Sequence, residues 1–179
     1  QIAVCYCAKI YTIKFLFLSK YNIMKKIILL LVLIPSISFG GTMNMIGEKG
    51  DPAEVSKVIE VKMYDNYYEP NKFEIKKNQT IKFIVYNYGE LVHEFNIATK
   101  AMHLKHQPEM MQMVENEILL ADRIDKKKMK ELSKKDHSMS HSHSNSVLLE
   151  PNQSAELIWK FNTNADLEVA CNVPGHYEA

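Results

Sequence analysis

Hydrophobic and polar positions alternate with a period of two along two separate parts of the chain, and this pattern predicts β-strands. In residues 57–64, Ile59, Val61 and Met63 share one face and Val58 lies on the other. Residues 80–88 carry apolar side chains on both faces, which predicts a central strand covered on both sides. The predicted strands are 57–64, 72–75, 80–88, 93–97, 146–150, 155–161 and 167–171, and 65–71 is predicted to be a turn.

The segment between the two groups of strands, residues 98–145, has a different pattern. Pro108 suits the first turn of a helix, and apolar residues recur at near-helical spacing through residues 109–124. Residues 125–135 are rich in lysine and predict a second, solvated helix. The Ser/His-rich tract 136–145 predicts a polar, mobile linker. About seven short strands split by this insertion predict an all-β sandwich.

The first 40 residues differ from the rest in charge and hydropathy. They hold five lysines and no acidic residue, and an unbroken apolar run at 27–34 follows Met24-Lys25-Lys26. A small-x-small site at 38–40 completes the pattern of a secretory signal peptide, which predicts export to the periplasm. The apolar run is too short to span a bilayer, so we expect no stable membrane insertion after cleavage.

This interpretation divides the chain into four parts. Residues 1–23 are upstream sequence or an artefact, 24–40 the signal peptide, 41–56 a flexible lead, and 57–179 the folded domain with its insertion at 98–145. A less favoured alternative keeps residues 15–34 as an uncleaved anchor. Residues 41–179 hold 17 basic and 21 acidic residues. This balance excludes the clustered basic face that a nucleic-acid partner requires.

Cys171 is the only cysteine after the predicted cleavage site, so an intramolecular disulfide is excluded in the exported chain. It opens the sequence Cys-Asn-Val-Pro-Gly-His, which ends at His176, and His93 lies far upstream. One thiolate and two imidazoles suit both oxidation states of copper in a trigonal site. The sequence therefore predicts a copper site with the ligands His93, Cys171 and His176. The alternatives are a buried free thiol and an ordinary hydrogen-bonded strand histidine.

Residues 87–95, with the pattern Asn-x-Gly-x3-His-x-Phe, and the later Cys171-x4-His176 resemble the plastocyanin and azurin family of type-1, or blue, copper proteins. The closer resemblance is to periplasmic cupredoxin-like proteins associated with copper tolerance, which share His-Glu-Phe and Cys-x-x-Pro-Gly-His-Tyr-Glu-Ala. It covers roughly residues 57–97 and 146–179 and implies a Greek-key cupredoxin sandwich. It also implies an axial methionine after His176, where only three residues follow, so we interpret the chain as truncated. Glu94 stands where plastocyanin and azurin usually carry Asn.

The insertion holds six of the ten methionines and five of the seven histidines. All of these residues except Met129 are candidate ligands for additional Cu(I) or Cu(II) ions, because thioethers suit the monovalent ion and imidazoles suit both. The alternative is that the methionines pack as apolar residues and the histidines belong to a solvated linker. The candidates are Met102, His103, His106, Met110, Met111, Met113, His137, Met139, His141 and His143.

Two functions fit this pattern. The first is one-electron transfer by a single type-1 copper ion, with a redox protein as partner. The second is copper sequestration or delivery in copper tolerance, through the Met/His-rich insertion and with a copper-handling protein as partner. An enzyme is not expected, because further catalytic copper centres require paired His-x-His ligands within the fold. Only His141-x-His143 has that spacing, and it lies in the predicted linker.

Overall fold

The computed structural model describes residues 46–178, which form a β-sandwich with a helical insertion. Its strands are β1 Glu48–Lys49, β2 Val55–Tyr64, β3 Tyr67–Glu69, β4 Gln79–Asn87, β5 His93–Ala98, β6 Ser146–Leu149, β7 Ser154–Phe161 and β8 Glu168–Ala170. One sheet has the order β1-β7-β4-β2-β3, with β2 and β4 parallel, and the other has the antiparallel order β6-β5-β8. The predicted all-β sandwich is confirmed.

The core lies between the two sheets, where the alternating strands turn their apolar faces towards each other. The Phe83 ring of β4 lies 5.2 Å from the Phe95 ring of β5, centroid to centroid. β2 buries the predicted face and leaves Val58 exposed. β4 is central, as predicted, but its second face at Ile84 and Tyr86 is only half-buried. The prediction of full burial on both faces of β4 was wrong.

Trp159 anchors the start of the described chain. Its indole is fully buried, and its Nε1 donates a hydrogen bond of 3.0 Å to the carbonyl oxygen of Ile46. Ile46 is itself buried, and β1 pairs with β7. The flexible lead predicted for residues 41–56 is therefore not found over residues 46–56, because an indole donor and a strand edge hold them.

The strand predicted at residues 72–75 is wrong, and a strand forms instead at 67–69, within the predicted turn. Phe73 and Ile75 nevertheless pack against the core on one side. The alternating pattern correctly indicated which side chains face the core. Such a pattern does not require the segment to be hydrogen-bonded to a neighbouring strand. In this segment the apolar side chains are anchored without a backbone ladder.

The insertion forms two helices, α1 Lys100–Glu115 and α2 Lys126–Leu132. The first helix begins earlier than predicted, because the Thr99 side chain caps it by accepting a hydrogen bond from the Met102 N–H. Pro108 consequently lies inside the helix rather than in its first turn, where its missing N–H leaves the Leu104 carbonyl without its helical donor. The helix predicted over 125–135 is confirmed, with narrower bounds.

A second, smaller apolar core holds the insertion together. Met110 and Met113 are fully buried in it and pack with Val92 at the start of β5, so the interpretation of these two methionines as core residues is confirmed. The mobile linker predicted at 136–145 is not what the structure shows. Met139 is buried in the same core, and a one-turn 3₁₀ helix runs over His137–Ser140. The remaining buried members are Ile118 and Leu119.

The predicted upstream segment 1–23, the signal peptide 24–40 and residues 41–45 of the lead lie outside the described residues, as does Ala179. Neither helix within residues 46–178 has the length and apolar character needed to cross a bilayer.

Candidate metal centre

The sandwich brings the three predicted ligands together at one end of the second sheet. His93 opens β5, and Cys171 directly follows β8, which pairs antiparallel with β5. A turn closed by the His176 N–H on the Val173 carbonyl oxygen, 2.9 Å away, returns His176 to the same place. Gly175 adopts φ +86° in this turn, a conformation that glycine reaches without a Cβ clash. We call His93, Cys171 and His176 the trigonal centre.

The donor atoms of the trigonal centre are spaced as a three-coordinate ion requires. Cys171 Sγ lies 3.5 Å from His176 Nδ1 and 3.9 Å from His93 Nδ1, and the two Nδ1 atoms are 3.3 Å apart. Bonds of about 2.0 Å to nitrogen and 2.3 Å to sulfur, arranged in a plane at 120°, place the donors about 3.5–3.7 Å apart. The residues present therefore fit a metal ion without rearrangement of the backbone.

Burial gives these ligands the protonation states that matter for metal uptake. Cys171 is 7% exposed, and burial raises the pKa of its thiol to about 11, so without a metal the thiol stays protonated at neutral pH. A bound metal ion removes this proton. Burial and the neighbouring His93 lower the pKa of His176, so its ring is neutral and ready to ligate.

Asp65 holds the His93 ring, and the sequence analysis placed it in a turn without a role. Its Oδ1 lies 2.9 Å from His93 Nε2 and also accepts the backbone N–H of Leu91. The hydrogen bond from His93 is the main cause that lowers the pKa of Asp65. A carboxylate that accepts the Nε2 proton fixes the tautomer of a ligating histidine. Its Nδ1 is then unprotonated and faces the thiol.

The Asn-x-Gly part of the upstream motif builds the loop before His93. The Asn87 side chain is buried, accepts the Gly89 N–H and donates to the carbonyl oxygens of Leu91 and Leu149. A Cβ on Gly89 would lie 2.3 Å from Asp65 Oδ1 and 2.8 Å from His93 Nε2. Glycine is required at residue 89 because any other side chain there would occupy the space of the Asp65–His93 hydrogen bond.

Glu94 links the trigonal centre to the insertion. Its backbone N–H donates to Cys171 Sγ at 3.3 Å, and its Oε2 accepts from the Asn172 backbone N–H and side-chain amide. Its Oε1 lies 2.8 Å from His141 Nε2 and 3.2 Å from His106 Nε2. The sequence analysis left the role of Glu94 open, and the structure assigns it contacts to both ligand loops. We call Glu94, His106 and His141 the Glu94 cluster.

Charge in the Glu94 cluster is set by these contacts. Burial alone raises the pKa of Glu94, but hydrogen bonds from His106 and His141 outweigh it and hold the pKa well below its ordinary value. Burial likewise works against charge on His106, yet its hydrogen bonds to Glu94 and Glu109 raise its pKa. The two imidazoles thus favour the charged form of a carboxylate that burial alone would neutralise.

The other candidate ligands of the insertion have varied environments. His103 is fully buried, with Nδ1 3.1–3.2 Å from the Asn172 amide, so it supports the loop after Cys171. His143 packs beside His106, with 5.0 Å between ring centroids. The remaining candidates divide into the buried Met110, Met113 and Met139, the partly buried Met102, and the exposed His137 and Met111.

An open cavity of about 790 Å³ borders the trigonal centre. Its walls include Tyr64, Phe73 and Leu167 together with the three predicted ligands, and within residues 46–178 no methionine lines it. The axial methionine that the family resemblance implies is therefore not supplied from this wall by the described part of the chain.

Comparisons with known proteins identify the family of the chain. A family model for the cupredoxin-like domain matches residues 30–123. The chain is 41% identical over 147 residues to the copper-resistant cuproprotein CopI of Pseudomonas aeruginosa, covering 74% of this chain and 77% of that protein. It is 30% identical over 139 residues to the copper-resistant cuproprotein CopI of Vibrio cholerae, covering 76% and 69%.

A solved structure of auracyanin B superposes with a TM-score of 0.50 at 10% sequence identity, covering 74% of this chain and 89% of that one. At this identity the likeness concerns the fold alone. The family match and the identity to the two CopI proteins show that the chain belongs to the cupredoxin-like family.

Proposed function

We propose that the chain binds one copper ion at the trigonal centre and exchanges single electrons through it. The observation that carries this proposal is the spacing of 3.3–3.9 Å among one sulfur and two nitrogen donors. Copper supplies a one-electron couple at such a site, because thiolate suits its monovalent state and imidazole serves both states. The chemistry of the donor set supports copper over the hard cations, which prefer oxygen ligands.

The protein's own residues hold this site nearly unchanged between the two states. Asp65 orients the His93 ring, and the Glu94 N–H donates to the Cys171 sulfur, where it stabilises negative charge on the thiolate. Cys171 and His93 are almost fully buried, so their side chains are held by protein contacts. A ligand set fixed in this way supports electron exchange, and we propose no enzymatic activity.

Copper tolerance is the second candidate function. Its support is that the two relatives are copper-resistant cuproproteins, together with the histidines that contact Glu94. In this function the chain sequesters or hands on copper in the periplasm, and its partner is a copper-handling protein. In the first function the partner is a redox protein. The signal-peptide pattern at residues 24–40 supports export in both cases.

The test of copper binding is an optical spectrum of the metal-free chain titrated with Cu(II), alongside the near-isosteric variant Cys171→Ser, with Cys5 and Cys7 replaced by serine in both proteins. We expect the parent to develop an intense visible thiolate-to-copper charge-transfer band and Cys171→Ser to develop none. His137→Gln is the matched control, because His137 is exposed and is predicted to leave the band unchanged. A parent protein that binds Cu(II) without this band contradicts the proposal.

The same sample separates the two functions. An electron carrier loses the visible band on addition of a reductant, keeps its copper through desalting and regains the band on reoxidation. A protein that hands copper on releases the ion after reduction, so the band does not return after desalting. Copper content before and after one such cycle is the quantity to measure.

A further inference from the structure

A second set of metal-binding side chains lies on the other side of Glu94 from the trigonal centre. Glu94 Oε1, His106 Nε2 and His141 Nε2 all lie within 4.8 Å of one another. The carboxylate comes from β5, whereas the two imidazoles come from α1 and from the residue after the 3₁₀ helix at His137–Ser140. Three elements distant in sequence therefore converge on one point.

The spacing is that of a slightly contracted metal site. Ligand bonds of about 2.0–2.2 Å to nitrogen and oxygen in tetrahedral geometry separate the donor atoms by about 3.3–3.5 Å. Glu94 Oε1 lies 2.8 Å from His141 Nε2 and 3.2 Å from His106 Nε2. Outward movements of a few tenths of an ångström convert these hydrogen bonds into a coordination sphere.

Neighbouring polar side chains also hydrogen-bond to the ligands and orient them, as is usual in protein metal sites. His106 directs Nε2 towards Glu94, while its Nδ1 lies 2.8 Å from Glu109 Oε2, which is the carboxylate–histidine arrangement found around bound metals. Asn96 donates to Glu94 Oε1, and Asn172 donates to Oε2. Both oxygens of the carboxylate are therefore fixed in position.

Burial and backbone conformation set the Glu94 cluster apart from a surface ion pair. The Glu94 side chain is 0% exposed, that of His141 4% and that of His106 11%. His141 holds φ +46°, a left-handed conformation that is uncommon for a residue other than glycine. His143 packs against His106 and His141, with ring centroids 5.0–5.5 Å apart in all three pairs.

We propose that Glu94, His106 and His141 form a second metal site, for a divalent ion of the Cu(II) and Zn(II) class. Two imidazoles and one carboxylate are borderline donors that favour these ions. Calcium and magnesium prefer oxygen ligands alone, and monovalent copper prefers sulfur, which this set lacks. The proposal goes beyond the function of the trigonal centre and does not depend on it.

The experiment is a titration of the untagged, metal-free full chain with Co(II), which distinguishes the two sites by colour. Cobalt at the trigonal centre gives a thiolate charge-transfer band, whereas cobalt at the Glu94 cluster gives only ligand-field bands. The variants are His106→Gln and His141→Gln, because glutamine keeps a hydrogen-bond donor beside Glu94. His137→Gln is the matched control from the same tract.

We expect the parent and His137→Gln to bind one more Co(II) ion per chain than the two cluster variants. Loss of one imidazole should weaken this binding at least about tenfold, which is the lower end of the effect of disturbing ligand support. Parent and variants all carry Cys5→Ser and Cys7→Ser, so that Cys171 is the one thiol able to give the charge-transfer band. Equal uptake by the parent and both cluster variants overturns the proposal.

Two readouts keep the test decisive. An unchanged charge-transfer band in a cluster variant shows that its fold and trigonal centre are intact, and loss of that band alone bears only on the function proposed for Cys171. Should a variant fail to fold, paramagnetically shifted imidazole protons in the Co(II)-loaded parent decide the matter. Signals from at least two histidines besides His93 and His176 support the second site, and their absence overturns it.

Discussion

The trigonal centre and the Glu94 cluster meet at adjacent residues of one strand yet differ in almost every other respect. Successive side chains of a strand point to opposite faces, so His93 faces the core side of β5 and Glu94 the outer side. The trigonal centre rests on strand ends and one tight turn of the sandwich. The Glu94 cluster depends on an insertion that covers the outer face and carries its own small apolar core.

This difference explains why β5 is buried at every residue although its outer face is polar. His93, Phe95 and Ile97 are covered by the facing sheet, whereas Glu94 and Asn96 are covered by the insertion. A polar face becomes buried at low energetic cost only when each polar group finds a partner. The insertion supplies those partners, so the sandwich and its insertion form a single polar network around the ligand loops.

The largest expected effect comes from the residue that both regions share. Glu94→Gln replaces an acceptor-only carboxylate with an amide whose NH₂ must face either the two imidazoles or the Asn172 donors. Breaking a buried charge pair in this way typically costs about 3–5 kcal/mol, and we expect a loss of about 3 kcal/mol in the free energy of unfolding of the metal-free chain. Urea denaturation followed by tryptophan fluorescence measures it, since Trp159 is the single tryptophan.

Glu69→Gln is the control, because this strand carboxylate has 60% of its side chain exposed and pairs only loosely with Lys62, at 3.9 Å. Exposed pairs of this kind contribute about 0–1 kcal/mol. An equal loss in the two variants would mean that the network around Glu94 contributes nothing special to stability.

The same contrast decides how much could be predicted from the sequence. The ligands of the trigonal centre can be identified from short stretches of sequence. Cysteine and histidine are rare residue types, and the Cys-x4-His spacing indicates one ligand loop. The Glu94 cluster carries no such mark. Glu94 has the appearance of an ordinary outward-facing strand residue, and His141 lies in a tract whose composition is typical of linkers. Only the docking of the insertion brings the two together.

The role of Asp65 was missed for a related reason. It lies just beyond β2, and the parallel register of β2 with β4 pairs Met63 with Asn87, which carries Asp65 towards the loop at Gly89. That register is a property of the sheet and cannot be obtained from alternation within one strand. Gly89 itself was the available signal, since a glycine beside a candidate ligand indicates that another group needs its space.

Asp65→Asn is expected to weaken the trigonal centre without abolishing it. An amide can still contact His93 Nε2 but lacks the charge that fixes the ring and its tautomer, and such losses cost about 10–100-fold in metal affinity. Competition of the Co(II)-loaded protein with a chromophoric chelator measures the change. The thiolate charge-transfer band should remain at reduced affinity, because Cys171 is untouched.

Asp122→Asn is the matched control for this substitution. Asp122 is exposed in the insertion, and within the described residues its side chain contacts only Arg123. We expect no change in affinity at either site. If Asp65→Asn matches Asp122→Asn, the hydrogen bond to His93 is not a positioning contact.

The last comparison distinguishes the two regions by the dependence of their metal affinity on pH. Burial raises the pKa of the Cys171 thiol to about 11, so binding at the trigonal centre must displace one proton at every pH below that value. The lowered pKa of His176 means that its ring is already neutral and adds no proton above pH 7. Apparent Co(II) affinity at the trigonal centre should therefore rise about tenfold per pH unit between about pH 7 and 9.

The Glu94 cluster holds no thiol, so its apparent affinity should level off once its imidazoles are neutral. Chelator competition at about pH 7, 8 and 9, read separately in the charge-transfer and ligand-field bands, compares the two slopes in one sample. Cys171→Ser supplies the control, because its remaining cobalt binding should follow the shallow slope alone. A charge-transfer band whose affinity is constant across this range means that Cys171 is already a thiolate in the metal-free protein. In that case the N–H donated by Glu94, and not burial, controls the protonation state of the sulfur.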